Sequence, residues 1–336
     1  MAETRKVVSL SEVLEKVQKL EGHKWDRPAL WSDTQFRAGQ RWVQLAVRDR
    51  HRSLTVMPTA LAQLCRPLGI PSGYAASLDP TMAVKLLNYE RRRRRVDRLK
   101  QPMLMRCYGN LLRGVVSDHY VPLDDAVVVA VLRDALVGRE VRVHHYRVGL
   151  DGLELRLVFE DESLPLRRTG RVGDVVSPGL YLRNSEVGLG CLVLECFVLR
   201  LVCTNGLVAP RDGTFHRWRH VAVNPGQVVA DIHQAVGRVA GEVAETVGLL
   251  DQAAARRVRG GAQRALRILA HREKLSRDLT EALLRVYEED AHDSLFGVVN
   301  AVTAAARNLP AVLRTRLELL GGSLLMQPEQ HGIEVA

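Results

Sequence analysis

The 336-residue chain is short of lysine and of paired cysteines, and each shortage excludes a class of chemistry. Only seven of its 48 basic residues are lysines, and none lies between Lys100 and Lys274. Chemistry that requires a lysine therefore has none available across the centre of the chain. The five cysteines are odd in number and contain no CxxC pair, which argues against a disulfide framework and fits a reducing, cytoplasmic compartment.

Long apolar segments and aromatic residues are also scarce. No run of about eighteen uncharged apolar residues occurs, and the first twenty residues lack the apolar centre of a signal peptide. The sequence therefore predicts neither a membrane span nor a secretion signal. Aromatics make up 5% of a chain that is 46% apolar, so aliphatic side chains have to fill the core of a globular protein.

Positive charge is in excess and is concentrated towards the N-terminus. Residues 1–116 contain 22 Lys/Arg and 10 Asp/Glu, a net charge of +12, whereas the remainder contains 26 basic and 28 acidic residues. Such an asymmetry is typical of proteins that bind a polyanion. The sequence therefore predicts a nucleic-acid partner for the first third of the chain.

The charge is densest in five consecutive arginines at the end of a predicted helix. Residues on a helix advance by about 100° each, so five in succession encircle it. Arg91 and Arg95 are also a like-charge pair one turn apart, unfavourable by roughly 0.2–0.5 kcal/mol, and a phosphate backbone would relieve that repulsion. The predicted phosphate contacts are Arg91, Arg92, Arg93, Arg94, Arg95, Arg98 and Lys100, with Arg106 and Arg113 on the adjoining hairpin. The alternative is a solvated helix end or linker.

Two further expectations attach to this segment. Six phosphate contacts would give a log–log salt slope of about −5, or roughly 10³-fold weaker binding at 200 mM than at 50 mM salt. Trp42, Tyr74 and Tyr89 are candidates to stack on bases, against the alternative that such single aromatics belong to a core.

Hydrophobic periodicity predicts an α+β fold with a mainly antiparallel central sheet. The predicted regions are a basic α-rich segment at 1–100, an antiparallel β-rich core with one helix at 101–224, and a helical region at 225–320. Asn205-Gly206 is typical of a two-residue hairpin turn. Residues 25–38 are predicted to be a loop, and the last fifteen residues are predicted to be frayed.

A seam of apolar residues runs from Val229 to Ala253 with alternating spacings of three and four, as in a coiled coil. Two interpretations stay open. The seam faces the core of the monomer, or it forms a contact between copies in a homo-oligomer.

Residues with catalytic or metal-binding chemistry are present without a working pattern. No GxSxG, GxxxxGK[ST], HExxH or GxGxxG motif occurs. Cys196, Cys203, His216 and His220 lack the spacing of a zinc site, because the cysteines are seven apart and face opposite sides of a strand. A non-catalytic protein without metal or cofactor is therefore favoured. The alternative is a metal-dependent nuclease, which requires Asp118, Glu186 and acids of the 160–162 loop to converge in one pocket.

Several sequence blocks carry a resemblance to a known family. They are SDHYVPLDD at 117–125, SPGLYLRNSEVG at 177–188, RLVCTNGL at 200–207 and HDSLFGVVNAVT at 292–303, with LGIPSGY at 68–74. They resemble the signature blocks of the phage/plasmid-like family of unknown function, over most of residues 40–307. The family-motif positions are Ser117, Asp118, Tyr120, Asn184, Ser185, Glu186, Gly188, Cys203, Thr204, Asn205 and Gly206. The arginine run is not one of these blocks.

The resemblance implies carriage by phages, plasmids or integrated elements and a role near DNA replication and recombination, so DNA is expected rather than RNA. The strand–helix–strand core is also loosely similar to phage single-strand annealing proteins. The leading hypothesis is a non-catalytic protein that anneals or protects single-stranded DNA as a homo-oligomer. A third hypothesis is an interaction protein that binds a host factor through the apolar seam.

Overall fold

The computed structural model describes residues 8–48, 51–95, 102–169, 174–200, 205–207, 215–307 and 309–336. These residues form two mostly antiparallel sheets with helices packed against them, which confirms the predicted α+β class. Each sheet has its own main apolar core, and the two cores are built mainly from aliphatic side chains.

The first sheet and its helices make up residues 24–117, here called unit N. The six strands, in the order β1-β5-β6-β4-β3-β2, are β1 (Lys24–Ala29), β2 (Thr34–Ala38), β3 (Val43–Val47), β4 (Leu54–Val56), β5 (Met103–Tyr108) and β6 (Leu111–Ser117). Three helices follow β4, namely α2 (Pro58–Leu68), α3 (Ser72–Ser77) and α4 (Pro80–Arg93). Unit N contains 18 Lys/Arg and 6 Asp/Glu, so the net charge of +12 coincides with one structural unit.

The structure of unit N differs from two predictions made from the sequence. Residues 25–38, predicted to be a loop, contain most of β1 and all of β2. Both are edge strands, where charged residues and Pro28 are tolerated, so the usual apolar alternation is weak. The predicted boundary at residue 100 falls inside the first sheet, because β5 pairs with β1 and β6 pairs with β4.

The second sheet belongs to unit C, which comprises residues 118–336 together with α1 (Leu10–Glu21). Its strands are β7 (Val141–Val148), β8 (Leu153–Phe159), β9 (Leu164–Pro165), β10 (Val175–Asn184), β11 (Leu192–Arg200), β12 (Asn205–Leu207) and β13 (Phe215–Trp218). The main path is β12-β11-β10-β8-β7, and helix α5 (Asp125–Ala135) packs beside it against α1.

The predicted turn at Asn205-Gly206 is wrong. Both residues lie in β12, where Asn205 is opposite Arg200 and Gly206 is opposite Leu199. The connection from β11 therefore runs through 201–204, outside the described residues. The dipeptide favours a turn locally, but pairing with a long buried strand takes precedence.

The C-terminal part of unit C is helical, as predicted. Its helices are α6 (Pro225–Ala255), α7 (Ala262–Arg272), α8 (Arg277–Glu289), α9 (Leu295–Ala305) and α10 (Ala311–Met326). The last fifteen residues are not frayed, since α10 continues to Met326 and Val335 pairs with Val258.

The apolar seam of α6 packs inside the chain itself. Ile232, Val236, Val239 and Leu250 are all buried in the core of unit C. The interpretation that the seam faces the core of the monomer is therefore correct for these residues. No helix in the described part of the chain combines the length and apolarity needed to cross a bilayer.

Candidate functional site

Helix α4 carries the arginine run, and its inner face buries one of the five. Ala83, Leu87 and Arg91 recur at intervals of four and are all buried. Arg91 donates hydrogen bonds to the carbonyl oxygens of Trp31, at 2.7 Å, and of Thr34. Arg91 thus anchors the end of α4 to the first sheet, which corrects its prediction as a phosphate contact.

The outer face of α4 displays a different set of residues. Met82, Lys85, Tyr89 and Arg92 recur at intervals of three and four, and all are exposed. Arg93, Arg94 and Arg95 are exposed as well, and a positive φ of 52° at Arg95 follows the end of the helix. Arg98 and Lys100 lie outside the described residues.

The carboxylate of Glu90 neutralises part of the positive charge at the end of α4. Glu90 accepts a hydrogen bond from Arg93 Nη2 at 2.6 Å and another from Arg94 Nε at 3.1 Å. The hydrogen bond from Arg93 holds the pKa of Glu90 below its usual value. Because one acid serves two arginines, the outer face and end of α4 keep a net positive charge.

Exposed aromatic side chains lie in the same unit. Trp42, Tyr74 and Tyr89 are 54%, 57% and 56% exposed. Among residues whose burial is described, no other Trp, Tyr or Phe side chain is as exposed. A groove of about 390 Å³ lies beside Trp42, between the tip of the β2–β3 hairpin and helices α2 to α4.

Arg106 and Arg113 are buried between unit N and unit C, each only 2% exposed. Arg106 donates to Asp124, to Asp26 at 3.1 Å and to the carbonyl oxygen of Glu186 at 2.6 Å. Both arginines belong to β5 and β6, the interior strands of the first sheet that meet unit C. Burial and these ion pairs leave them unavailable to a phosphate backbone, so their prediction as phosphate contacts is corrected.

The RNSEVG block forms a loop that enters this buried contact. Glu186 accepts hydrogen bonds from Lys24 Nζ at 2.6 Å, from Arg113 at 2.7 Å and from the backbone N–H of Asp125 at 2.8 Å. Burial alone would raise the pKa of Glu186, but the adjacent Lys24 ammonium lowers it to about 2. Glu186 is therefore an ionised carboxylate that neutralises cations of unit N.

The residues around Glu186 complete the contact, which we call the joint. Asn184 donates to the carboxylate of Asp125 at 2.8 Å, and Tyr120 donates to the carbonyl oxygen of Ser185 at 3.0 Å. Burial, reinforced by the charge of Glu186, raises the pKa of Asp125 well above its usual range. The joint consists of Lys24, Asp26, Arg106, Arg113, Tyr120, Asp124, Asp125, Asn184, Ser185 and Glu186.

The other family-motif positions are not part of the joint. Ser117 and Asp118 are exposed at the end of β6, and Gly188 has a φ of 76° with Val116 too close for a Cβ. Cys203 and Thr204 lie outside the described residues.

A second buried ionic cluster links the two C-terminal sequence blocks. Arg200 of β11 pairs with Asp174 at 2.6 Å and with Asp290 at 2.7 Å, and it donates to Asn300 at 2.8 Å. Its guanidinium lies 5.0 Å from the ring centre of Phe296 on α9. This cluster fixes the C-terminal helices to the second sheet.

Three of the acids proposed for a nuclease pair with different basic residues. Both oxygens of Glu186 are engaged within the joint, while Glu160 pairs with Arg142 and Glu162 pairs with Arg139. Within the described ranges, no group of three or more His, Cys, Asp or Glu side chains is arranged to hold a metal ion. The convergence required by that alternative is not seen in this part of the chain.

Sequence reasoning missed Lys24, Asp26 and Asp174 as members of these clusters. One signal was available: Arg156, Glu195 and Arg200 interrupt otherwise apolar strands, and a charge in such a strand has to be paired or neutralised when buried. No comparable signal marks Lys24 or Asp26, because the edge strand that holds them is polar.

Comparison with protein-family models gives one match. A model described as "Domain of unknown function (DUF932)" matches residues 113–316. Neither a curated protein nor a solved structure matches the chain. The matched residues begin in β6 and include the loop that carries Glu186 and the Arg200 cluster, whereas α4 and its arginines lie outside the match.

Proposed function

The chain belongs to the DUF932 family, a domain of unknown function, and we propose that its unit N is a binding surface for single-stranded DNA. The observation that carries the proposal is the coincidence of two properties on one unit. Unit N holds the net charge of +12, and it holds the three Trp and Tyr side chains that are more than half exposed among residues of described burial.

The physical basis is the way single strands are bound without sequence preference. Cations follow the phosphate backbone and exposed aromatic rings stack on unpaired bases, each stack contributing about 1–3 kcal/mol. The outer face of α4 offers both, with Tyr89 between Lys85 and Arg92. A helix of 14 residues is about 21 Å long, enough to follow several nucleotides.

The joint has a supporting role in this proposal. It holds unit N against unit C through buried, charge-assisted hydrogen bonds. Annealing, assembly as a homo-oligomer and carriage by phages or plasmids stay predictions. An assembly has to use a surface other than the buried seam residues of α6.

The experiment compares binding of a fluorescent 30-nucleotide oligodeoxythymidylate with binding of the corresponding duplex near 50 mM salt. The variant is Lys85→Ala, Tyr89→Ala, Arg92→Ala and Arg93→Ala combined on the outer face of α4. The control removes three exposed arginines of unit C, Arg257→Ala, Arg264→Ala and Arg267→Ala. We expect the wild type to prefer the single strand, the α4 variant to bind at least tenfold more weakly, and the control to match the wild type.

Two results would count against the proposal. One is absence of binding to either nucleic acid near 50 mM salt. The other is equal loss of affinity in the α4 variant and in the unit C control, which would indicate non-specific charge attraction. Degradation of the strand with Mg²⁺, abolished by Asp118→Ala, would favour the nuclease alternative.

A further inference from the structure

The tip of the β2–β3 hairpin presents Arg41 and Trp42 beside the groove of unit N. The turn is fixed by a hydrogen bond from the N–H of Gly39 to the carbonyl oxygen of Trp42, at 3.0 Å. Trp42 is 54% exposed to solvent, even though it borders an apolar groove in which its side chain could be buried. An exposed indole on a fixed turn is suited to stack on a planar ligand.

The groove has the size and lining of a small-ligand site. Its volume of about 390 Å³ lies within the range of roughly 300–1,000 Å³ found for ligand pockets. The opposite wall comes from Leu61 of α2, Ala76 of α3 and Ala83 of α4, and the small side chains leave the space open. Among the described residues that line it none is acidic, and Arg41 is the one charged side chain of that set.

We propose that this groove is a base-binding subsite, in which Trp42 stacks on one unpaired nucleobase and Arg41 contacts the adjoining phosphate. The inference rests on the proposed function and adds to it a defined pocket. The charge around the groove indicates which ligand it binds. An apolar groove with a cationic rim, on a unit of net charge +12, complements a base attached to a phosphate. An apolar side chain of a partner protein would gain nothing from that charge.

The position of the groove also agrees with a continuous path for one strand. Pro80 and Ala83, at the start of α4, belong to its lining. The exposed series from Met82 to Arg92 starts beside this point and continues towards the arginine end of the helix. A strand with one base in the groove therefore meets the cations of α4 in its following nucleotides.

The test fills the groove without removing any charge. Ala76 is exposed on α3, so Ala76→Phe places an aromatic ring in the groove, and Ala244→Phe on the exposed side of α6 is the matched control. Binding is measured by tryptophan fluorescence and anisotropy with a 12-nucleotide oligodeoxythymidylate and with an abasic strand of the same length. Trp42→Phe identifies the part of the fluorescence change that comes from the groove.

We expect Ala76→Phe to weaken oligodeoxythymidylate binding about 5- to 100-fold, to abolish the Trp42 quenching and to leave the salt slope unchanged. Equal affinity of Ala76→Phe and wild type, or an abasic strand that binds as well as oligodeoxythymidylate, overturns the base subsite while leaving DNA binding by unit N intact. If wild type binds neither strand near 50 mM salt, both the subsite and the proposed function fail.

Discussion

Unit N and unit C use the same residue type in opposite ways. In unit N, the arginines 92–95 at the end of α4 are exposed, and Arg93 and Arg94 share a single carboxylate, Glu90. In unit C, Arg156 and Arg200 are buried, and each is paired with a carboxylate at 2.6 Å, Arg156 with Glu318 and Arg200 with Asp174. The difference indicates that the buried arginines stabilise the fold, whereas the exposed arginines at the end of α4 are available for a ligand.

The family match follows the same division. It covers residues 113–316, which include Arg113, Glu186 and the Arg200 cluster, but it excludes α4, the groove and the joint residues Lys24, Asp26 and Arg106. The family-matched part thus provides the scaffold. The surface to which we assign DNA binding lies in the part of the chain outside the match.

The largest effect is expected at the joint, where Glu186→Ala removes the carboxylate shared by Lys24 and Arg113. Buried Arg113 then loses its carboxylate partner and Lys24 keeps only Glu21, and breaking a buried ion pair costs about 3–5 kcal/mol. Urea denaturation measures the loss in the free energy of unfolding. A change below about 1 kcal/mol would show that the joint does not couple the two units.

A smaller effect, dependent on pH, is expected at Glu195 inside the second sheet. Burial raises its pKa to about 7, although Arg183 and Arg156 act in the opposite direction. The unfolded chain releases this proton near pH 4.5 and the folded chain near 7, so the free energy of unfolding falls as pH rises between these values. The total loss is on the order of 3 kcal/mol.

Glu195→Gln removes this titration, so the variant should be more stable than the wild type at pH 8 and less dependent on pH between 5 and 7. Urea denaturation at several pH values measures both, with Glu329→Gln at an exposed position as the control. Parallel pH profiles for wild type and Glu195→Gln would refute the assignment.

The close approach of the two units predicts a loss of about 1–3 kcal/mol for Gly114→Ala. A Cβ at this position would lie 2.6 Å from the Cβ of Val187, which is fully buried. Gly237 is the matched control, because it lies in α6 with open space around it. Gly237→Ala should be neutral or stabilising by up to about 1 kcal/mol, and thermal denaturation of both variants checks the contrast.

The smallest effect is expected for an exposed ion pair of unit C. Arg277 and Glu281 are one turn apart on α8, with 2.9 Å between Arg277 Nε and Glu281 Oε1. Their side chains are 90% and 54% exposed. Solvent screens such pairs, so Glu281→Ala should change the free energy of unfolding by less than about 0.5 kcal/mol. A loss comparable to that of Glu186→Ala would remove the distinction between buried and exposed charge.

The sequence predicted the α+β class and the helical C-terminal part, because these have strong local periodicity. It did not predict β1, whose polar residues and proline suit an edge strand. Nor did it separate buried from exposed arginines. Arg106 belongs to the same charge-rich region as Arg92, and only the pairing of β5 inside the sheet buries it.

The most direct test of unit N as the DNA-binding surface is the salt dependence of affinity for oligodeoxythymidylate. We expect replacement of the four arginines 92–95 by alanine to reduce the log–log salt slope by about 3, because each lost phosphate contact removes about 0.7. Replacing four exposed arginines of unit C should leave the slope unchanged; they are Arg257, Arg259, Arg264 and Arg267. Equal slopes for wild type and the 92–95 variant would contradict the assignment.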